Sequence, residues 1–140
     1  MALIDRLIGT FRLVSLEVRR SDGRVDHPMG DRPAGLFIFG REGHYSVQLS
    51  PGPTSGGSAS AQQGYGYVAT WGTYAVDEER QTFTLTPAGA LDDALIGVAV
   101  LRHVTFRDDV AVFNTTPQIV DGVETATYIT WRKVSSPAEG

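Results

Sequence analysis

The sequence contains no cysteine, which excludes disulfide staples, thiolate zinc sites and thiol catalysis and leaves the redox compartment undetermined. Histidine is scarce as well, with three residues. His27 and His103 have no neighbours at metal-ligand spacing, so no metal site built by the protein is expected. Long apolar runs are missing: none approaches bilayer length, and the segment Met1 to Ile8 is too short and too charged for a signal peptide. A soluble, cytoplasmic protein without a membrane partner is the resulting expectation. Basic residues are the minority, 12 against 16 acidic, for a formal net charge of −4. That balance lacks the cationic surface a phosphate backbone requires, so nucleic acid is not an expected partner. There is no Gly-x-Ser-x-Gly elbow, phosphate loop or dinucleotide fingerprint, so hydrolytic and redox mechanisms have no motif and no cofactor is expected.

What is present is a series of short extended segments separated by turn residues. The chain, at 140 residues, is long enough for one domain with its own core. Leu3, Ile4, Leu7 and Ile8 recur at helical spacing and stop at Gly9, which predicts a short helical plug. Extended segments follow at 10–20, 35–39, 44–49, 65–76, 81–86, 95–106 (the longest), 110–114 and 123–134, about eight in all. Turn chemistry such as Ser21-Asp22-Gly23 and Gly40-Arg41-Glu42-Gly43 joins them as hairpins. The fold class is therefore all-β, an antiparallel sandwich or up-and-down barrel. Residues 1–134 read as the domain and 135–140 as a flexible tail. Ser50 to Gly64 holds no large apolar residue and reads as a mobile loop, which at a barrel rim would serve as a lid. Phe11 near one end and Arg132 near the other suggest closure, with an aromatic platform under a guanidinium where first and last strands meet.

The segments Leu7 to Ser15, His27-Pro28-Met29-Gly30 with Pro33 and Gly35, Gly43 to Leu49, Tyr67 to Asp77, Gly97, Arg102 and Trp131-Arg132 resemble, in order and spacing, the small bacterial and fungal lipocalin-like domain proteins. The resemblance covers most of the chain and implies an eight-stranded calycin-type barrel with a small-molecule cup. Two departures stand out. Phe11 occupies the place of the tryptophan in the family's Gly-x-Trp pattern, which keeps the platform and loses the indole donor. Leu85 and Thr86 stand where relatives often carry a histidine pair, so chemistry resting on those histidines does not transfer.

Polar residues on inward faces are the candidates in such a cup. Ile96, Val98, Val100, Arg102, Val104 and Phe106 form an apolar stripe interrupted by one arginine. A buried cation is costly unless paired, so Arg102 meets a carboxylate, for which Glu17 is a candidate, or a ligand anion or carbonyl. His44, Ser46 and Gln48 share one strand face and Tyr45, Val47 and Leu49 the other, and periodicity does not decide which points inward. Tyr45, Ser46, Gln48 and Arg102 are candidate ligand contacts, with Tyr67, Trp71 and Tyr128 as an aromatic wall. Glu17, His44 and Arg102 are the candidate catalytic groups.

Two functions of different class stay open. One is a carrier enclosing an apolar or amphipathic molecule, such as a secondary metabolite. The other is a cofactor-independent cyclase or isomerase for a polyketide-type intermediate, which needs only a near-attack conformation and one donor aimed at a carbonyl. Val14, Leu16 and Val18 lie opposite Phe11 and Leu13 on the first strand, so one of those faces is apolar on the outside or covered by another element, which leaves a homodimer open.

Overall fold

The extended segments pair in nearly the order in which they occur. The computed structural model describes residues 2–52 and 66–134. One short helix, α1 (Leu3–Leu7), precedes ten strands: β1 (Gly9–Arg20), β2 (Val25–Asp26), β3 (Ala34–Phe39), β4 (His44–Ser50), β5 (Val68–Asp77), β6 (Thr82–Ala90), β7 (Val100–Arg107), β8 (Val110–Asn114), β9 (Gln118–Val120) and β10 (Val123–Lys133). The two- and three-residue strands β2 and β9 pair only with β1 and β10. The other eight follow one another antiparallel, and β10 pairs back onto β1 to close a barrel. Closure removes every exposed edge among these eight, which is how an antiparallel sheet this size avoids edge-to-edge association. No described helix is long and apolar enough to cross a membrane. The tail from 135 and the expected lid from 53 onward lie outside the described residues.

Alternation decides the faces. Phe37 and Phe39 on β3, Tyr45, Val47 and Leu49 on β4, and Tyr74 on β5 are buried, while Leu36, Ile38, His44, Gln48, Thr73 and Trp71 are exposed. One end of the barrel is filled by aromatic rings. Phe39 meets Phe11, Tyr74 and Phe83 edge-on with centroids 6.0, 5.1 and 5.3 Å away. Such edge-to-face pairs add about 0.5–1.5 kcal/mol each beyond their buried area.

Helix α1 stops that end. Its Leu3 and Leu7 are buried in the core, and Ala2 offers no side-chain cap. Glu78, from the β5–β6 turn, supplies the cap instead, accepting from the Leu3 and Ile4 amides at 2.8 and 3.0 Å. At the other end of the helix Lys133 Nζ donates to the Arg6 carbonyl at 2.7 Å. A carboxylate at the N-terminus and an ammonium at the C-terminus both complement the peptide dipoles.

Three sequence expectations are corrected by the backbone. In β1, Leu13 faces Trp131 and Ser15 faces Thr130, so Val14 and Ser15 together oppose one residue. This β-bulge reverses the alternation. Leu16 therefore joins Leu13 inside, 6% exposed, whereas Val14 is outside at 43%. The same reversal turns Glu17 outward, where it meets Arg19 at 2.9 Å and His27 at 3.6 Å. Secondly, the seventh strand starts at Val100 and not at Leu95. Asp92 accepts from the Ala94 amide to start a 3-10 turn over Asp93–Leu95, and Gly97 adopts a left-handed φ of 81° that an extended strand does not allow. Ile96 and Val98 consequently lie exposed at the rim. The strand β1, with 12 residues, is the longest. Thirdly, β6 runs past Pro87 to Ala90, because a bulge beside Trp71 and Gly72 accommodates the proline, which has no N–H to give to a ladder.

The seam differs from expectation by one residue. Phe11 faces Lys133 and Arg12 faces Arg132. Lys133 Nζ lies 5.3 Å from the centre of the Phe11 ring, while Arg132 points outward to Asp109 at 3.2 Å. Phe11 is the platform, but the cation above it is the ammonium of Lys133. Trp131 faces inward, so by parity Lys133 does too and Arg132 cannot.

Candidate functional site

Away from α1 the barrel is incompletely filled. A cavity of about 210 Å³ lies between Phe37, Tyr45, Phe113 and Trp131 on one side and Leu85, Val100 and Arg102 on the other. Val68, Leu49, Pro87 and Leu95 line it toward the open end, where β4 ends, β5 begins and β6 meets the 3-10 turn. A second, larger concavity of about 510 Å³ lies outside the barrel, between Arg12, Leu36, Ile38, Ser46, Gln48 and Tyr67. It is an open groove on the sheet's outer face. The interior cavity, smaller, less open than the groove and mostly apolar, has the character of a small-molecule site.

Few polar groups interrupt the interior lining. Arg102 arrives there because β7 alternates regularly from Val100 to Phe106, with Val104 buried on the same face. Its Nη1 donates to the Leu101 carbonyl at 2.9 Å. Among the described residues no carboxylate lies within ion-pair distance of it. Burial holds its pKa below the ordinary arginine value, yet a guanidinium stays protonated at any physiological pH. Tyr45 and Thr70 share a hydroxyl–hydroxyl hydrogen bond of 3.0 Å across β4 and β5. Burial pushes the Tyr45 pKa up, with the Thr70 contact opposing it. Trp131, only 1% exposed, carries an Nε1–H that is buried without a hydrogen-bond partner among the described residues.

This arrangement gathers two of the candidates and disperses the rest. Tyr45 and Arg102 line the cavity. Ser46 and Gln48 face the outer groove, because the apolar residues of β4 take the inside. His44 is exposed on the same outer face. Tyr67 is also outside, donating to Gln48 Oε1 at 2.6 Å, and Trp71 is exposed. Tyr128 lies under the Arg19 guanidinium, 4.2 Å from its ring centre. The expected aromatic wall of Tyr67, Trp71 and Tyr128 is thus on the outer surface, and the inner wall is Phe37, Tyr45, Phe113 and Trp131. Glu17 has no route to Arg102. Sequence reasoning missed Thr70 and the Trp131 Nε1–H. Thr70 was accessible from parity, since it alternates with Val68, Gly72 and Tyr74.

A closed up-and-down barrel of eight strands with an N-terminal helix and one inner cavity sets the context for comparison. A family model described as a lipocalin-like domain matches residues 8–134. The chain belongs to that family. No curated protein matches the sequence. The match begins just after α1 and ends with the last described residue, so it covers every strand of the lipocalin-like barrel. The fold is one consistent with small-molecule binding, and its cavity is where such a molecule would be held.

Proposed function

We propose that this lipocalin-like barrel binds one small amphipathic molecule in its inner cavity, apolar body among Phe37, Phe113 and Val100, polar atoms toward Arg102 and the Tyr45–Thr70 hydroxyls. The observation carrying this reading is the cation of Arg102 on an apolar wall, without a carboxylate partner among the described residues. A folded chain bears the desolvation cost of such a group where something other than the fold gains from it. A ligand oxygen meets that need.

Catalysis by a cyclase or isomerase is the second reading, supported by the same donors, which would stabilise negative charge developing on a carbonyl oxygen. Two features place it behind binding. The described residues lining the cavity include no Asp, Glu or His, so a proton-abstracting base has no obvious source there. The cavity volume of about 210 Å³ is also below the roughly 300–1,000 Å³ of pockets that enclose drug-sized ligands. A polyketide-sized chain would project from it.

The test is to incubate purified protein with a cell-extract metabolite pool, isolate the complex and identify by mass spectrometry what is retained, for wild type and Arg102→Gln. Release of an unchanged compound that the variant fails to retain supports a carrier. A product of equal mass and altered retention time, absent with heat-treated protein, supports an isomerase or cyclase. No compound enriched over a boiled control would count against both.

A further inference from the structure

The donors of the cavity specify the class of ligand more narrowly than its shape does, and this inference rests on the proposed binding function. Arg102 has donors and no acceptor. The Tyr45–Thr70 pair uses one of its two hydroxyl protons internally, which leaves the other to offer. Every strong polar group that the described residues turn toward the cavity can therefore give a hydrogen bond, and no carboxylate or imidazole is there to receive one. A ligand rich in donors, an amine above all, would add an unpaired cation beside Arg102. A ligand that brings acceptor oxygens and one negative charge satisfies the guanidinium. Charge-assisted, frequently bidentate pairing is what an arginine makes best with a carboxylate.

Size sets a second limit. An apolar protein cavity of about 150 Å³ takes up benzene. In proportion, about 210 Å³ holds roughly eight or nine heavy atoms, a benzene ring with one carboxylate attached. We infer that the barrel binds small apolar monocarboxylates, of about the size of benzoate, with the carboxylate on Arg102 and the body against the inner aromatic wall.

The experiment is calorimetric titration of the full chain at neutral pH with a matched panel: benzoate, phenylacetate, octanoate, benzamide, benzylamine and toluene. The expected result is measurable binding of the carboxylates, at least tenfold weaker binding of benzamide, and none of benzylamine. In Arg102→Gln, the carboxylate preference over benzamide should fall below about threefold. Arg102→Lys, which keeps the charge, should retain part of the preference and serves if the glutamine variant folds poorly, as judged by circular dichroism. If benzamide or benzylamine binds as well as benzoate, the cavity is a binding site but the carboxylate assignment is overturned. If no member binds, toluene included, the proposed binding function itself fails.

Discussion

Arg102→Met separates a residue kept for a ligand from one kept for the fold. In the free barrel Arg102 is half-buried on an apolar wall, with one hydrogen bond to its own neighbour's carbonyl. Full burial of a cation costs several kcal/mol, and replacing buried ionic groups with apolar residues of similar volume is often stabilising. Half-exposure reduces that cost to about 2 kcal/mol, since solvent still screens part of the charge. Loss of the hydrogen bond to Leu101 returns about 1 kcal/mol. The net expectation is a variant more stable than wild type by about 1 kcal/mol, with a Tm higher by about 3–5 °C for a domain of this length. Urea denaturation followed by tryptophan fluorescence measures this directly, and an unchanged m-value certifies that the unfolding reaction is the same. Benzoate should raise the Tm of wild type and leave that of the variant unmoved. A loss of 1 kcal/mol or more in the variant would refute the reasoning, because Arg102 would then be a structural tether.

Other expectations bear on the frame around the site. Leu16→Ala should cost about 2–4 kcal/mol and Val14→Ala less than about 0.5 kcal/mol by denaturant titration; equal costs would mean that β1 has no bulge. Glu78→Gln should cost about 1 kcal/mol through the lost charge on the α1 amides, and hydrogen exchange should accelerate at Leu3, Ile4 and Leu7 before any strand; protection lost evenly over the barrel would contradict a local latch. Tyr45 and Tyr74 have pKa values raised by burial, so the folded chain holds protons that the unfolded chain releases. Their contribution is complete below the unfolded tyrosine value and is lost as pH rises through the raised folded values, giving a fall in stability above about pH 10. Lys133, its pKa lowered by burial and by Arg6, works in the opposite direction, so the slope should steepen in Lys133→Met and flatten in Tyr74→Phe. A stability independent of pH in that range for all three proteins would show that the tyrosine hydroxyls are not held by the fold.

The parts of this barrel that were legible in the sequence are those where one rule acted alone. Turn residues at Ser21-Asp22-Gly23 and at Gly40 to Gly43 marked hairpins that are present. The stripe Val100, Arg102, Val104 and Phe106 placed a cation inside, because strict alternation leaves no other choice. Val14-Ser15 gave no such signal: nothing in a Val- and Leu-rich run marks an inserted residue, and a single one reverses every later side chain. Glu17 was misplaced for that reason alone. Tyr67, Trp71 and Tyr128 suggest a wall because aromatics favour interiors, but each has the parity opposite to an inward-facing neighbour, namely Val68, Tyr74 and Trp131. Gly97 lay within an apolar run and was read as a strand glycine, whereas its left-handed backbone ends the extended segment.

The barrel divides its tasks along its axis. At the α1 end, Phe11, Phe39, Phe83 and Tyr74 interlock, and Glu78 and Lys133 fasten the helix over them. Rings packed edge to face leave little freedom for a ligand and supply stability that does not depend on one. Toward the other end the wall residues become Val68, Leu49, Pro87 and Leu95, side chains too small to meet across the interior. The costly Arg102 cation lines this under-filled half and not the packed one. A chain selected for stability alone would have filled that space and removed the cation, as single substitutions can do. That a void and a charge without a carboxylate partner among the described residues coincide in one cavity is the physical argument that a small acceptor-bearing molecule completes it.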